Sequence, residues 1–160
     1  MRSADHAVLA CACGGEITRM KPVVAALIVR NGKILICQRT RHQPMPLKWE
    51  FPGGKIEPEE QPKEALYREL EEELGILATV GAKVATVQHH YPSGSAVELH
   101  FYFVQEYEGE IQNRIFRDVR WVTCPEMPEY DFLEADITLI KDLAAGKLSL
   151  PMAPARHKEP

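Results

Sequence analysis

Between Glu57 and Glu73 the chain places eight of its 23 acidic residues in 17 positions, with only Lys63 and Arg68 to offset them. Carboxylates this dense repel one another, so a fold that contains them must turn them to water, pair them, or give them a cation to hold. The same stretch has a helical pattern from Pro62 to Leu74, with Gly75 at the place of a left-handed C-terminal cap. On a wheel of ~100° per residue, Glu72 and Glu73 fall within about 60° on either side of Glu69, which makes one carboxylate face. Leu66, Tyr67, Leu70 and Leu74 form the neighbouring apolar face, while Glu64 and Glu71 point to solvent.

Two readings of that helix compete: a solvated acidic surface and a site for divalent cations. A solvated helix sets Lys or Arg four residues after Glu, but here Glu69 meets Glu73 and Glu72 meets Ile76. Like charges at that spacing cost roughly 0.2–0.5 kcal/mol per pair. Mg2+ and Mn2+ take oxygen ligands and keep positions open for water and phosphate oxygens, which gives the cluster a use. Arg68 lies four after Glu64 and four before Glu72, where it can anchor the row by charge-assisted hydrogen bonds or serve as an ordinary surface ion pair. Just before the helix, Gly53-Gly54 either makes a turn or lets main-chain groups approach a cation and phosphates. Lys55 adds a positive charge beside it.

Outside this window the chain holds 15 acids and 17 bases. One anionic patch on a near-neutral body suits a metal and a small polyanion together. Polymeric nucleic acid, which requires a basic stripe, is not expected. A length of 160 residues with 45% hydrophobic content fits one domain. No run reaches the ~18 apolar residues of a membrane span. Asp5 and His6 interrupt what would be the basic region of a leader before Ala7 to Cys13, so the expectation is a cytoplasmic protein, monomeric or homodimeric. Cys11, Cys13, Cys37 and Cys124 give no disulfide framework. The Cys11 and Cys13 pair lacks the further ligands of a metal site, so the inert reading is favoured.

Along the chain, Pro22 to Arg30 and Lys33 to Arg39 read as strands joined at Asn31-Gly32, a strong hairpin signal. Thr40 to Lys48 is a loop, and Trp49 to Phe51 is at most a short strand ended by Pro52-Gly53-Gly54. Ala78 to Gln88 and Ala96 to Tyr107 are strands around a turn at Tyr91 to Ser95, and Asp118 to Thr123 is another. A helix runs from about Asp136 to Ala145, with Ile137, Ile140 and Ala144 on one stripe. This order predicts an α+β fold, a sheet covered by helices. Residues 1–20 form an expected N-terminal extension, 21–148 the domain, and 149–160 a frayed tail.

Gly54, Glu60 six residues later, and Arg68-Glu69-Leu70-Glu71-Glu72-Glu73-Leu74-Gly75-Ile76 reproduce the Nudix box, G-x5-E-x7-R-E-U-x-E-E-x-G-U, at all nine specified positions. Lys48 to Glu57, Gln38-Arg39, Arg120-Trp121-Val122 and Ala135 to Ile140 extend the resemblance to MutT-type nucleotide pyrophosphohydrolases over residues 22 to 145. The resemblance implies a Nudix fold, a mixed sheet between helices, and Mg2+- or Mn2+-dependent hydrolysis of a nucleoside diphosphate linked to another moiety. It implies Glu69, Glu72 and Glu73 as metal ligands with the Gly53 carbonyl, Glu60 and Arg68 as support, and Lys55 on phosphate. Related enzymes often carry a further glutamate where this chain has Ile115. Glu72 is therefore the first choice of general base and Asp118 a distant second.

The resemblance also places Arg39, Phe51, Tyr91 and Asp136 around the nucleotide. Asp136 either accepts from a base amine or caps the last helix. Phe51 and Tyr91 are base-flanking or simply core aromatics. The leading functional expectation is a MutT-like (d)NTP pyrophosphohydrolase that removes oxidised nucleotides such as 8-oxo-dGTP, in the manner of DNA-precursor repair. The alternatives are a pyrimidine triphosphate, another nucleoside diphosphate derivative, and a catalytically silent ligand-binding module.

Overall fold

A computed structural model describes residues 20–150 together with the backbone of 157 and 158. Residues 1–19 of the expected extension over 1–20, with Cys11 and Cys13, and the remainder of the tail lie outside the described residues, while Met20 belongs to the first strand.

The sheet is organised around β1 (Met20–Arg30). Val24, Ala26 and Ile28 pack on one face, and Ala25, Leu27 and Val29 pack on the other. Burial on both faces explains why this strand reads as an unbroken apolar run instead of an alternation. Along one edge β1 runs parallel to β6 (Ala96–Glu108), in register from Met20↔Ala96 to Ile28↔Val104. Along the other edge it pairs antiparallel with β4 (Gly53–Lys55) in its first half and with β2 (Lys33–Gln38) at its far end. β2 also carries β3 (Trp49–Glu50) and β7 (Asp118–Val122), and β5 (Leu77–His90) lies antiparallel outside β6. His157 and Lys158 form β8, parallel to the end of β6, completing a mixed eight-stranded sheet. The helix α1 (Pro62–Leu74) covers one face and α2 (Ile137–Ala144) the other. The expected α+β architecture is therefore present.

Local chemistry accounts for the joints. Asn31 and Gly32 hold φ of 52° and 76°, the paired positive values of a tight hairpin. At the start of α1 the Gln61 N–H donates to Glu64 Oε1 at 2.8 Å, and Gly75 closes the helix at φ 70° with its N–H donating to the Glu71 carbonyl. The segment after β6 then straps the helix end. The Gln112 N–H reaches the Leu74 carbonyl at 2.8 Å, the Arg114 N–H reaches that of Glu73 at 3.1 Å, and Arg114 Nη1 reaches that of Glu71 at 3.0 Å. Carbonyls that a helix end leaves unpaired are thereby satisfied, and a cation sits at the negative pole of the helix.

Several local expectations change. Gly53 and Gly54 belong to a strand, not a turn, because β1 offers its backbone edge to them whatever their low strand preference. Tyr67 leaves the apolar face of α1 and is exposed; Ala65, Leu66, Leu70 and Leu74 make the buried stripe. In α2 the stripe is Leu139, Ile140 and Leu143, with Ile137 exposed. Two 3-10 segments, Cys124–Glu129 and Glu134–Asp136, lack the length that would have given them a readable period.

A side chain at Gly75 would be strained by its positive φ and would come within 2.9 Å of Arg114 Nη2. Gly75→Ala is expected to lower stability by about 1–2 kcal/mol. The measurement is a denaturant titration in which the midpoint falls while the slope stays the same.

Candidate active site

Arg68 connects Glu60, Glu69 and Glu72 of the acidic stretch. Its Nε and Nη2 donate to the two carboxylate oxygens of Glu60 at 2.8 and 2.9 Å, a bidentate pair. Nη1 donates to Glu69 Oε1 at 2.7 Å, and Nη2 also reaches the Lys55 carbonyl at 3.1 Å. Glu72 stands 3.5 Å from the same guanidinium. Hydrogen bonds from Arg68 hold the Glu60 carboxyl down to about 2, so it stays ionised. The helix α1, the β4 carbonyl and the loop between them are thus tied through one cation.

The three helical carboxylates are graded in exposure. The Glu72 side chain is 60% exposed, Glu69 is 15% exposed, and Glu73 is buried. Glu73 sits on the helix stripe between Ala65, Leu66 and Leu70, facing the sheet, where the Gly53 N–H donates to its Oε1 at 3.1 Å. Burial pushes its carboxyl up to about 9, with the adjacent Glu69 contributing and Glu50 adding less. Lacking a cation, Glu73 therefore holds a proton at neutral pH.

The glycine pair makes this closeness possible. A Cβ on Gly53 would collide with the Val24 carbonyl of β1, and one on Gly54 would collide with the Glu69 carboxylate. Each glycine serves a different neighbour, one the sheet and one the site.

A cavity of about 520 Å3 opens beside these groups. Gly53, Gly54, Lys55, Glu69 and Glu73 line it at one end, and the sequence-predicted Arg39, Phe51, Tyr91 and Asp136 line the same space. Glu60, Arg68 and Glu72 are not part of the lining. Phe51 combines both readings, since it lines the cavity and packs on Phe101 and Phe132. Tyr91, in the β5–β6 turn, lies edge-on to His89 with ring centroids 4.6 Å apart.

Asp136 occupies the residue before α2, yet its side chain makes no capping hydrogen bond. It is buried against the cavity, and that burial, with Glu50 nearby, raises its carboxyl well above the usual range. The cap reading fails there. Arg39 is engaged within the protein: Nη1 donates to Glu50 Oε1 at 3.0 Å and Nε to the Pro44 carbonyl at 2.9 Å. Asp118 is no candidate base, because its oxygens accept from the Val119 N–H and Arg120 Nε and it is not part of the lining. Ile115 does line the cavity, so the loop presents an apolar group there.

Sequence reasoning missed Glu50 and Lys21, both on the lining. Glu50 had a signal, a carboxylate between Trp49 and Phe51 in a strand; burial raises its carboxyl despite Arg39. Lys21 had none, being one lysine at a strand start.

Among the described residues no three His, Cys, Asp or Glu side chains are already gathered into a cation cage. Glu69 and Glu73 form a pair with the Gly53–Gly54 backbone against them, and Glu72 faces Arg68. The donors are all oxygen, and a buried carboxyl beside a second carboxylate is the arrangement that a hard cation relieves. The residues fit Mg2+ or Mn2+.

The model of the NUDIX domain matches residues 20–143. The chain belongs to the Nudix family. It is 41% identical over 133 residues to the CTP pyrophosphohydrolase of Escherichia coli, covering 83% of this chain and 98% of that one. It is 38% identical over 122 residues to the 8-oxo-dGTP diphosphatase of Haemophilus influenzae, covering 75% and 89%. Among solved structures, that of the Escherichia coli ORF135 protein superposes with a TM-score of 0.74 at 40% identity, covering 87% of this chain and all of that one. As a Nudix hydrolase, the chain has no helix among its described residues long and apolar enough to cross a membrane.

The buried Glu73 sets a pH dependence for this Nudix hydrolase without metal. Its folded carboxyl, at about 9, lies well above the ordinary carboxylate range, so the folded state binds the extra proton. Stability contributed by that proton is present below that range and lost as pH rises toward the folded value. Glu73→Gln is expected to flatten the decline, raising the melting temperature of metal-free protein at pH 8 by about 4 °C or more. Thermal melts of both proteins from pH 5 to 9 check this, and parallel curves would contradict it.

Proposed function

We propose that this Nudix hydrolase cleaves a nucleoside triphosphate between its α and β phosphates, releasing a nucleoside monophosphate and pyrophosphate, with cytosine nucleotides preferred. The observation that carries the reading is Asp136, a buried carboxyl at the same cavity as the glutamate pair, with no hydrogen bond to any described residue. Burial and the nearby Glu50 shift Asp136 toward its protonated form, and a protonated carboxyl offers one donor and one acceptor side by side. Cytosine offers the complement, an acceptor at N3 beside the N4 amine. Guanine offers the same kind of pair at O6 and N1–H, so Asp136 selects a donor beside an acceptor and does not by itself separate the two bases. The name of the Escherichia coli relative, for CTP, favours cytosine.

In this reading Glu69, Glu72, Glu73 and the Gly53 carbonyl would hold Mg2+ or Mn2+, which supplies neutralisation of the diphosphate and acidification of a water. The remaining work belongs to the chain. Arg68 keeps Glu69 and Glu60 in place through three hydrogen bonds of 2.7 to 2.9 Å. Glu72 is exposed and held by Arg68 only at 3.5 Å, so its carboxylate can take the proton of the attacking water. Lys55, exposed on the lining, meets phosphate oxygens. Phe51 supplies an aromatic wall for the base.

A second reading is oxidised purine triphosphates such as 8-oxo-dGTP, favoured by the name of the Haemophilus influenzae relative. Turnover of CTP, dCTP, GTP and 8-oxo-dGTP with Mg2+, with monophosphate and pyrophosphate resolved as products, separates them. Faster turnover of 8-oxo-dGTP than of CTP would overturn the cytosine preference. No turnover of any canonical, oxidised or conjugated nucleotide would overturn the reaction.

Two variants test the roles. Glu72→Gln is expected to lower kcat by about 10²- to 10⁴-fold while the protein stays folded, by circular dichroism. Asp136→Ala is expected to lower kcat/KM for CTP and leave the metal requirement unchanged. A loss of melting temperature without any change in kcat/KM would assign Asp136 to structure alone.

A further inference from the structure

The cavity wall carries four carboxylates, Glu50, Glu69, Glu73 and Asp136, and three cations, Arg39, Lys21 and Lys55. Arg39 is already committed to Glu50 and the Pro44 carbonyl. Lys21 and Lys55 are exposed, and neither ammonium forms an ion pair or hydrogen bond among the described residues. They are the positive charges left for a polyanion in this space.

Strand register places these groups in order. Lys21, Val23 and Ala25 alternate onto one face of β1 and all line the cavity. Gly53 is registered opposite Ala25 and Lys55 opposite Val23, so Lys21 lies one step beyond Lys55. Phe51 lies at the inner end, packed on Phe101, which is itself registered opposite Ala25. Along the floor the aromatic wall and the glutamate and glycine site share the level of Ala25, followed by Lys55 and then Lys21. At a rise of ~3.3 Å per residue, Ala25 to Lys21 spans roughly 13 Å. Across the floor, Val97 is paired with Lys21 and Leu99 with Val23, apolar residues that bring no competing carboxylate.

Resting on the pyrophosphohydrolase reading above, we infer that Lys21 is a substrate-binding residue that, with Lys55, holds the terminal phosphates of a nucleoside triphosphate and selects triphosphates over diphosphates. A base at Phe51 with its α phosphate at the glutamates directs the β and γ phosphates outward along β1. Only the longer chain reaches the Lys21 ammonium, which meets it as a flexible point charge. The departing pyrophosphate carries the same two phosphates, so Lys21 also sets product affinity.

Lys21→Met keeps the stem and removes the charge. It is expected to raise KM for the nucleoside triphosphate about ten-fold with kcat unchanged, and to leave KM for the matching diphosphate as it was. Calorimetric titration of inorganic pyrophosphate into the full chain with Mg2+ is expected to lose the same factor, and Lys21→Arg to restore both. Equal changes for triphosphate and diphosphate, or no change, would overturn the assignment. If the wild-type chain hydrolysed no triphosphate, the reaction reading would fall. Pyrophosphate calorimetry would still decide Lys21: unchanged affinity in Lys21→Met would overturn it, and a ten-fold loss would sustain it.

Discussion

The guanidinium of Arg68 is the contact on which the site depends. It holds Glu60 bidentately, Glu69 through a third N–H and the Lys55 carbonyl through a shared one, with Glu72 alongside. Without a cation at their centre, the helical carboxylates would spread toward water and the β4 backbone would lose its tie to α1. Arginine suits the position because its planar fork serves several oxygens at fixed angles and its charge is permanent. The acidic stretch is therefore not one solvated face. It is divided among a supported pair, the exposed Glu72, Glu64 closing the helix start, and residues such as Glu71 that are exposed.

A second constraint is the sheet to which this cluster is attached. β1 is shared by β4, β2 and β6, so its backbone fixes at once where the glycine pair, the cavity floor and the opposite wall lie. Glu73 is turned toward that floor and pays in desolvation what the exposed Glu72 does not. The same dryness reaches Cys37, whose thiol is pushed up by burial and then by Glu73 and Glu50, leaving it inert as a nucleophile. A site that mixes one buried carboxyl, one shielded carboxylate and one exposed carboxylate can hold a cation and still present a free base.

Legibility in the sequence followed locality. The bounds of α1, the Asn31-Gly32 hairpin, the Gly75 cap and the Tyr91 to Ser95 turn rest on neighbours in the chain, and all stand in the structure. Gly53–Lys55 did not read as a strand, because two glycines carry no side-chain pattern and their pairing is supplied by β1, some 30 residues earlier. Tyr67 and Glu73 exchanged places with respect to expectation. A wheel gives angles between residues but not which arc meets the sheet, and the sheet chose an arc centred on Leu66 and Leu70 that includes Glu73 and leaves Tyr67 outside.

The residues of the glutamate box, their spacing and the oxygen chemistry they imply are properties of a continuous segment, and a helix of known pitch carries them from sequence to geometry without outside help. The cavity is different. Arg39, Glu50, Phe51, Tyr91, Asp136 and Lys21 come from five separated stretches, and the pairing of β1 with β2, β4 and β6 and of β2 with β3 helps to bring them to one space. The burial that changes the Asp136 carboxyl, the capture of Arg39 by Glu50, and the order of Lys55 and Lys21 along the floor are all set by neighbours distant in the chain. Desolvation and register are collective quantities, so the folded sheet decided them.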